Sequence, residues 1–159
     1  MMLKNKITLL FTLLFFITFF ACKTQEKKTP TNTPVSSFIK MQKTPCYGPC
    51  PSYNLEILSD GSVTFIGKSF VDYLGTYSSK ISEVELENIK TKIEEVQFFE
   101  LEDNYDSPAT DIPSCITEVF LNSKSKKITN RRYGPEELKD LEKLIEQTVL
   151  KSNLQKVQE

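Results

Sequence analysis

On either side of Asp60-Gly61 the chain alternates apolar and polar residues, and this pattern restricts its fold more than any other. Tyr53, Leu55 and Ile57 alternate with Asn54 and Glu56, and Val63 and Phe65 resume the alternation around Thr64. A period of two belongs to a strand with one buried face. Asp-Gly between two such runs is a strong hairpin signal. The segment therefore reads as an antiparallel hairpin whose apolar face other elements must cover.

The flanking sequence supplies those elements. Phe38 to Lys43 reads as a first strand, with Phe38, Lys40 and Gln42 alternating with Ile39, Met41 and Lys43. A further strand is expected over Tyr73 to Tyr77, with Gly67 and Lys68 near the intervening turn. Ser82-Glu83-Val84-Glu85 has the spacing of a capping box. Leu86, Ile89, Ile93 and Val96 follow at helical intervals, and Phe98, Phe99 and Leu101 are expected to plug the core after that helix. Glu102 to Pro113 reads as a polar loop.

Ile116 to Leu121 is strand-like, with Cys115, Thr117, Val119 and Leu121 on one face and Ile116, Glu118 and Phe120 on the other. Asn122 to Ser125 reads as a turn and Lys126 to Asn130 as a returning strand. Gly134-Pro135-Glu136-Glu137 opens a second helix, since proline and acids suit a helix start. Leu138, Leu141, Leu144, Ile145 and Val149 form its apolar stripe. The order predicts an α+β two-layer domain, an antiparallel sheet with two helices packed on one face.

The first 22 residues carry a different message. Lys4 and Lys6 precede Ile7 to Phe20, an apolar run of 14 residues, which ends at Ala21-Cys22. A membrane-spanning helix needs about 20 apolar residues, so the run fits the core of an export signal. Phe19 and Phe20 before Ala21 break the small-x-small rule of ordinary cleavage sites. Ala21-Cys22 instead has the form of a lipobox, in which the cysteine after cleavage carries acyl chains, palmitate among them. Two or more chains hold a protein stably on a bilayer. Lys23, where retention in the inner membrane goes with Asp, favours the outer membrane, facing the periplasm or the cell surface. The expected organisation is a signal peptide at 1–21, a lipidated cysteine and flexible tether at 22–37, a single domain at 38–150, and a polar, fraying tail at 151–159.

Charge and composition narrow the function. The 20 basic and 21 acidic residues nearly cancel, and loss of Lys4 and Lys6 with the signal makes the mature chain more acidic. A nucleic-acid partner, whose footprint is a basic face, is not expected. The chain has no histidine, the side chain most often used as a base near neutral pH and as a metal ligand. No catalytic residue, cofactor or metal site is therefore assigned.

Pro45-Cys46-Tyr47-Gly48-Pro49-Cys50-Pro51 is the sharpest motif. In an oxidising compartment Cys46 and Cys50 are disulfide candidates. The small ring contributes about 2 kcal/mol by chain entropy and would hold Tyr47 at its tip. A redox role needs a depressed thiol pKa, typically at a helix N-terminus, but Cys50-Pro51 leads into a strand. The spacing is C-x3-C, not C-x2-C, and the copper-delivery variant of C-x3-C adds a histidine that this chain lacks. With Cys22 set apart for lipid, Cys115 makes the count odd. It either stays a buried thiol or pairs with Cys46 or Cys50, and the sequence leaves both open.

Two charged groups complete the survey. Asp103-Asn104-Tyr105-Asp106 and Asp111 could suggest calcium, although the order of an EF-hand is missing. Lys124, Lys126, Lys127, Arg131 and Arg132 read as a basic edge strand guarded against aggregation, or as a surface for anionic lipid or glycan.

These motifs together resemble a family of bacterial lipoproteins and secreted proteins that carry a domain of unknown function. The residues are Cys46-Tyr47-Gly48-Pro49-Cys50-Pro51-x-Tyr53, then Asp60-Gly61-x-Val63, Phe98-Phe99, Tyr105 and Asp111-Ile112-Pro113. Tyr133-Gly134-Pro135 departs from the pattern, with proline directly after glycine where a spacer is common. Cys115 stands where a small polar residue such as threonine is expected. The resemblance spans Phe38 to Leu150. It implies the same strand–helix–strand–helix domain and an important cysteine loop, and no activity.

The sequence thus points to a membrane-anchored envelope lipoprotein with a non-enzymatic binding or structural domain. Its partners would be the bilayer, through acylated Cys22, and an envelope protein or glycan. The alternative is an envelope thiol–disulfide oxidoreductase using Cys46 and Cys50.

Overall fold

The structure, a computed structural model, describes residues 34–158. Lys4 to Cys22 and most of the expected tether lie outside them. The elements are β1 (Ser37–Lys43), β2 (Ser52–Leu58), β3 (Ser62–Ser69), β4 (Gly75–Lys80), α1 (Glu83–Glu95), a 3-10 turn (Phe98–Glu100), β5 (Asn104–Tyr105), β6 (Cys115–Leu121), β7 (Lys124–Asn130), α2 (Glu136–Lys151) and β8 (Gln155–Lys156). The strands form one sheet in the order β5-β7-β6-β1-β2-β3-β4-β8. Every pairing is antiparallel except β5 with β7. The fold is thus α+β, with two helices and a largely antiparallel open sheet.

Alternation in the strands sorts residues by face. Ile39, Met41, Leu55, Ile57, Val63, Phe65, Val119 and Ile128 are buried together with Leu86, Ile89 and Ile93 of α1 and Leu138, Leu141, Ile145 and Val149 of α2. Phe98 fills the core where α1 ends, with Phe99 and Leu101 packed against it. The capping box forms as its spacing predicts: Glu85 N–H donates to Ser82 Oγ at 3.2 Å, and Ser82 N–H donates to Glu85 Oε2 at 2.8 Å. The hairpin at Asp60-Gly61 closes through Gly61 N–H to Leu58 O, 2.9 Å, with Gly61 at φ +82°. That left-handed conformation costs glycine no side-chain clash.

The structure differs from the sequence reading at several elements. A register shift near the start of β1 buries Phe38 as well as Ile39, although strict alternation would expose it with Lys40. β3 runs through Gly67 and Lys68, and the turn comes later, at Phe70–Leu74, so β4 starts at Gly75 and not at Tyr73. Gly67 lets the strand continue because a Cβ there would overlap the carbonyl of Tyr73. The returning hairpin turns on Asn122 and Ser123, both at positive φ, and β7 therefore begins at Lys124. The loop after α1 contains β5. The tail does not simply fray: Leu154 is buried, and β8 pairs with β4.

Gly67→Ala should lower stability in urea unfolding by at least about 2 kcal/mol, because backbone lies where the methyl would go. Ser82→Ala should cost about 1 kcal/mol, the ordinary worth of a helix N-cap.

Candidate functional site

Four loops gather at one end of the sheet: 44–51 between β1 and β2, 70–74 between β3 and β4, 106–114 between β5 and β6, and 131–135 before α2. The cysteine motif forms the first. Cys46 and Cys50 are joined by a disulfide, with Cα atoms 5.7 Å apart. Cys50 N–H donates to Gly48 O at 2.8 Å, and Gly48 N–H donates to Cys46 Sγ at 3.2 Å. Tyr47 projects from the tip with its side chain free; it is 95% exposed.

The neighbouring loop braces this ring. Tyr47 N–H donates to Asp111 O at 3.3 Å, Thr44 N–H to Ser114 O at 3.0 Å, and Ser114 N–H back to Thr44 Oγ1 at 2.8 Å. The Asp111-Ile112-Pro113 motif therefore works through its backbone. Phe70 (φ +53°) and Tyr133 are also exposed at this end, and the Arg132 guanidinium sits over the Tyr133 ring.

Beneath the loops, a polar row crosses the core face of four strands. Tyr53, Lys43, Cys115 and Asn130 are successive cross-strand neighbours on β2, β1, β6 and β7. Two acids one turn apart on α2 meet them. Glu146 accepts from Lys43 Nζ with both oxygens at 2.8 Å and from the Tyr53 hydroxyl at 2.6 Å. Glu142 Oε2 accepts from Asn130 Nδ2 at 3.0 Å, while Asn130 Oδ1 accepts from Gly134 N–H at 3.1 Å. Glu142 Oε1 is buried without a hydrogen-bond partner.

The chemistry of the row follows from its burial. Burial pushes the Glu142 carboxyl up to about 7, opposed by the hydrogen bond from Asn130, by Cys115, and by the charges of Lys43 and Lys139. Burial, and then the charge of Glu142, push the Cys115 thiol up to about 12. Burial, and then the hydrogen bond to Glu146, raise the Tyr53 hydroxyl. At neutral pH the thiol and the phenol thus keep their protons, and neither is primed as a nucleophile. Cys115 is a half-buried free thiol, which resolves the odd cysteine count in favour of Cys46–Cys50 pairing.

The two charged groups singled out by sequence meet each other. Asp103 pairs with Lys126 at 2.7 Å and Asp106 with Arg131 at 3.1 Å. Among the described residues, no three acids or cysteines cluster as a metal site. β7 is not the bare edge either, because β5 covers its end near Asn130.

The motif reading missed Lys43, Asn130, Glu142 and Glu146. One signal was present: Glu142 falls within the apolar stripe Leu138-Leu141-Ile145-Val149, where a charge is out of place.

Glu142 binds its proton more tightly folded than unfolded. Its contribution is therefore full below the ordinary carboxylate range and is lost as pH rises through 4.5 to about 7. Glu142→Gln should leave stability at pH 5 nearly unchanged and raise it at pH 8 by about 1–3 kcal/mol. Denaturant titrations at the two pH values would measure this. A variant less stable at both would show that the carboxylate is needed charged.

No curated protein matches the chain. Residues 37–149 match the family described as a domain of unknown function, DUF6438. That interval starts at β1 and ends within α2, and so includes the cysteine loop, the polar row, all of α1 and all but the last two residues of α2. The chain belongs to the DUF6438 family.

Proposed function

We propose that this chain is a lipid-anchored lipoprotein of the bacterial cell envelope whose domain is a non-enzymatic binding or structural module. The observation that carries the reading is the Cys46–Cys50 disulfide. Such bonds persist outside the reducing cytosol, and the basic, apolar, Ala21-Cys22 start of the chain is an export and lipidation signal. Anchorage through Cys22 accounts for membrane attachment without a spanning helix. Among the described residues no helix is long and apolar enough to cross a membrane. Lys23 directs the anchor to the outer membrane.

The architecture that goes with this reading has both helices covering one face of the sheet, with a polar tether of about 15 residues leading to it. The chain enters the domain at Ser37, the end of β1 opposite the cysteine loop. This leaves Tyr47, Phe70 and Tyr133 presented at the far end. Aromatic residues on braced loops are strong anchors for a partner, because they bring large contact area at low entropy cost. The partner in this reading is another envelope component. A thiol–disulfide exchange role has less support. Cys50-Pro51 runs into β2, so neither sulfur has the helix N-terminus that activates exchange cysteines.

Cys22→Ser in the full chain should abolish its fractionation with membranes. A mutant that still pellets with them would overturn the lipid anchor. Non-reducing mass spectrometry of the exported protein should find the peptide containing Cys46 and Cys50 two hydrogens lighter than its reduced form. Two free thiols there would defeat the compartment argument.

A further inference from the structure

The sheet face turned away from the core carries an ordered row of charge. Lys127, Glu118, Lys40 and Glu56 are successive cross-strand neighbours on β7, β6, β1 and β2. Adjacent strands lie about 4.8 Å apart, so the row is a regular line of alternating sign. It is poorly satisfied within the chain. Lys40 reaches Glu56 at 3.8 Å, with side chains 51% and 37% exposed. Among the described residues, neither Lys127 nor Glu118 makes an ion pair, although they face each other across the ladder. The row borders a groove of ≈ 450 Å³, which Ile66 and Ile116 also line; Ile66 is 39% exposed.

The pattern is self-complementary. A two-fold axis lying parallel to the strands, between β6 and β1, reverses strand order and keeps each row opposite its own copy. Lys127 then faces Glu56 of the second molecule, and Glu118 faces its Lys40. Two-fold interfaces use the same patch on both partners. A row of one sign, or a palindromic order such as Lys-Glu-Glu-Lys, would set like charges against each other at every position. Sheets that pack face to face keep their strands roughly aligned and interdigitate side chains. The groove beside short Thr64 and Asn54 gives the long lysine and glutamate side chains of the other copy somewhere to go.

We infer that the open sheet face is the interface of a two-fold homodimer, with register set by the alternating row Lys127–Glu118–Lys40–Glu56. Charge pairs at an interface fix register more than they add affinity, and desolvating them opposes association. The dimer is therefore weak and salt-sensitive. The inference does not depend on lipid anchoring.

Its test uses charge reversal and mixing, on the full chain in a density-matched detergent, by sedimentation velocity. Wild type should show a monomer–dimer equilibrium that weakens as salt rises. Lys40→Glu sets two carboxylates against each other, the new one and that of Glu118 in the second molecule. Glu118→Lys likewise sets two ammonium groups together, the new one and that of Lys40 across the axis. Each variant alone should dimerise at least tenfold more weakly, and an equimolar mixture should recover the wild-type dimer. Rescue on mixing cannot come from contacts within one chain. Lys127→Glu with Glu56→Lys repeats the test at the outer positions, should either inner variant fold poorly. A wild type that stays monomeric, reversals that dimerise normally, or mixtures of folded variants that fail to recover would each overturn the interface.

Discussion

Glu146 is the point on which the loop end of this domain depends. One carboxylate on α2 accepts from the last residue of β1 and from the second residue of β2, the two strands that the cysteine loop joins. The disulfide closes that loop from outside, and Glu146 closes it from inside. The pair is partly buried, so removing either partner leaves a charge that water only partly compensates. The Lys43 ammonium also lies near the Tyr53 ring, 5.7 Å from its centroid. Helix, strands and loop are therefore fixed relative to one another by one acid and two donors.

Glu142, one turn earlier, ties α2 to β7 alone, with a weaker hold. It has one hydrogen bond to Asn130 and one oxygen without a partner. Asn130 in turn caps the backbone at Gly134, where the chain turns into α2. The two acids divide the labour along the helix. One stays satisfied by charge and hydrogen bonds, and the other is held mainly by burial, so it responds to proton concentration near neutrality.

What could be read from the sequence was local. The Asp60-Gly61 hairpin and the Ser82–Glu85 capping box each rest on neighbours within a few residues, and both formed as their spacing required. β4 was misplaced because glycine at 67 suggested a turn, whereas it serves a close approach to Tyr73, a contact made by tertiary structure. β8 was missed because its two residues are polar and pair only after α2 brings them to β4. The sequence presents the acids at Asp103 and Asp106 and the bases at Lys126 and Arg131 as two separate features, a polar loop and a basic edge strand. They lie far enough apart in sequence that only the parallel β5–β7 pairing shows them to be one set of ion pairs. Lys43 and Glu146 are 103 positions apart, and no pattern rule spans that distance.

The position of β1 has a mechanical consequence. It is bonded on both sides, to β2 and to β6, and the chain enters it at Ser37 and leaves it at Lys43 for the cysteine loop. A pull between the chain's entry point and anything gripping Tyr47 acts along this strand. The load would run along the backbone of β1 itself, which is already extended, while the ladders on either side hold it in place. Thr44, Pro45 and Cys46 complete the path to Tyr47, so the far side of the disulfide ring, 48–50, carries little of that load. Tension between those two points would therefore pass through the backbone of one central strand and leave the hydrogen bonds of the sheet largely unloaded.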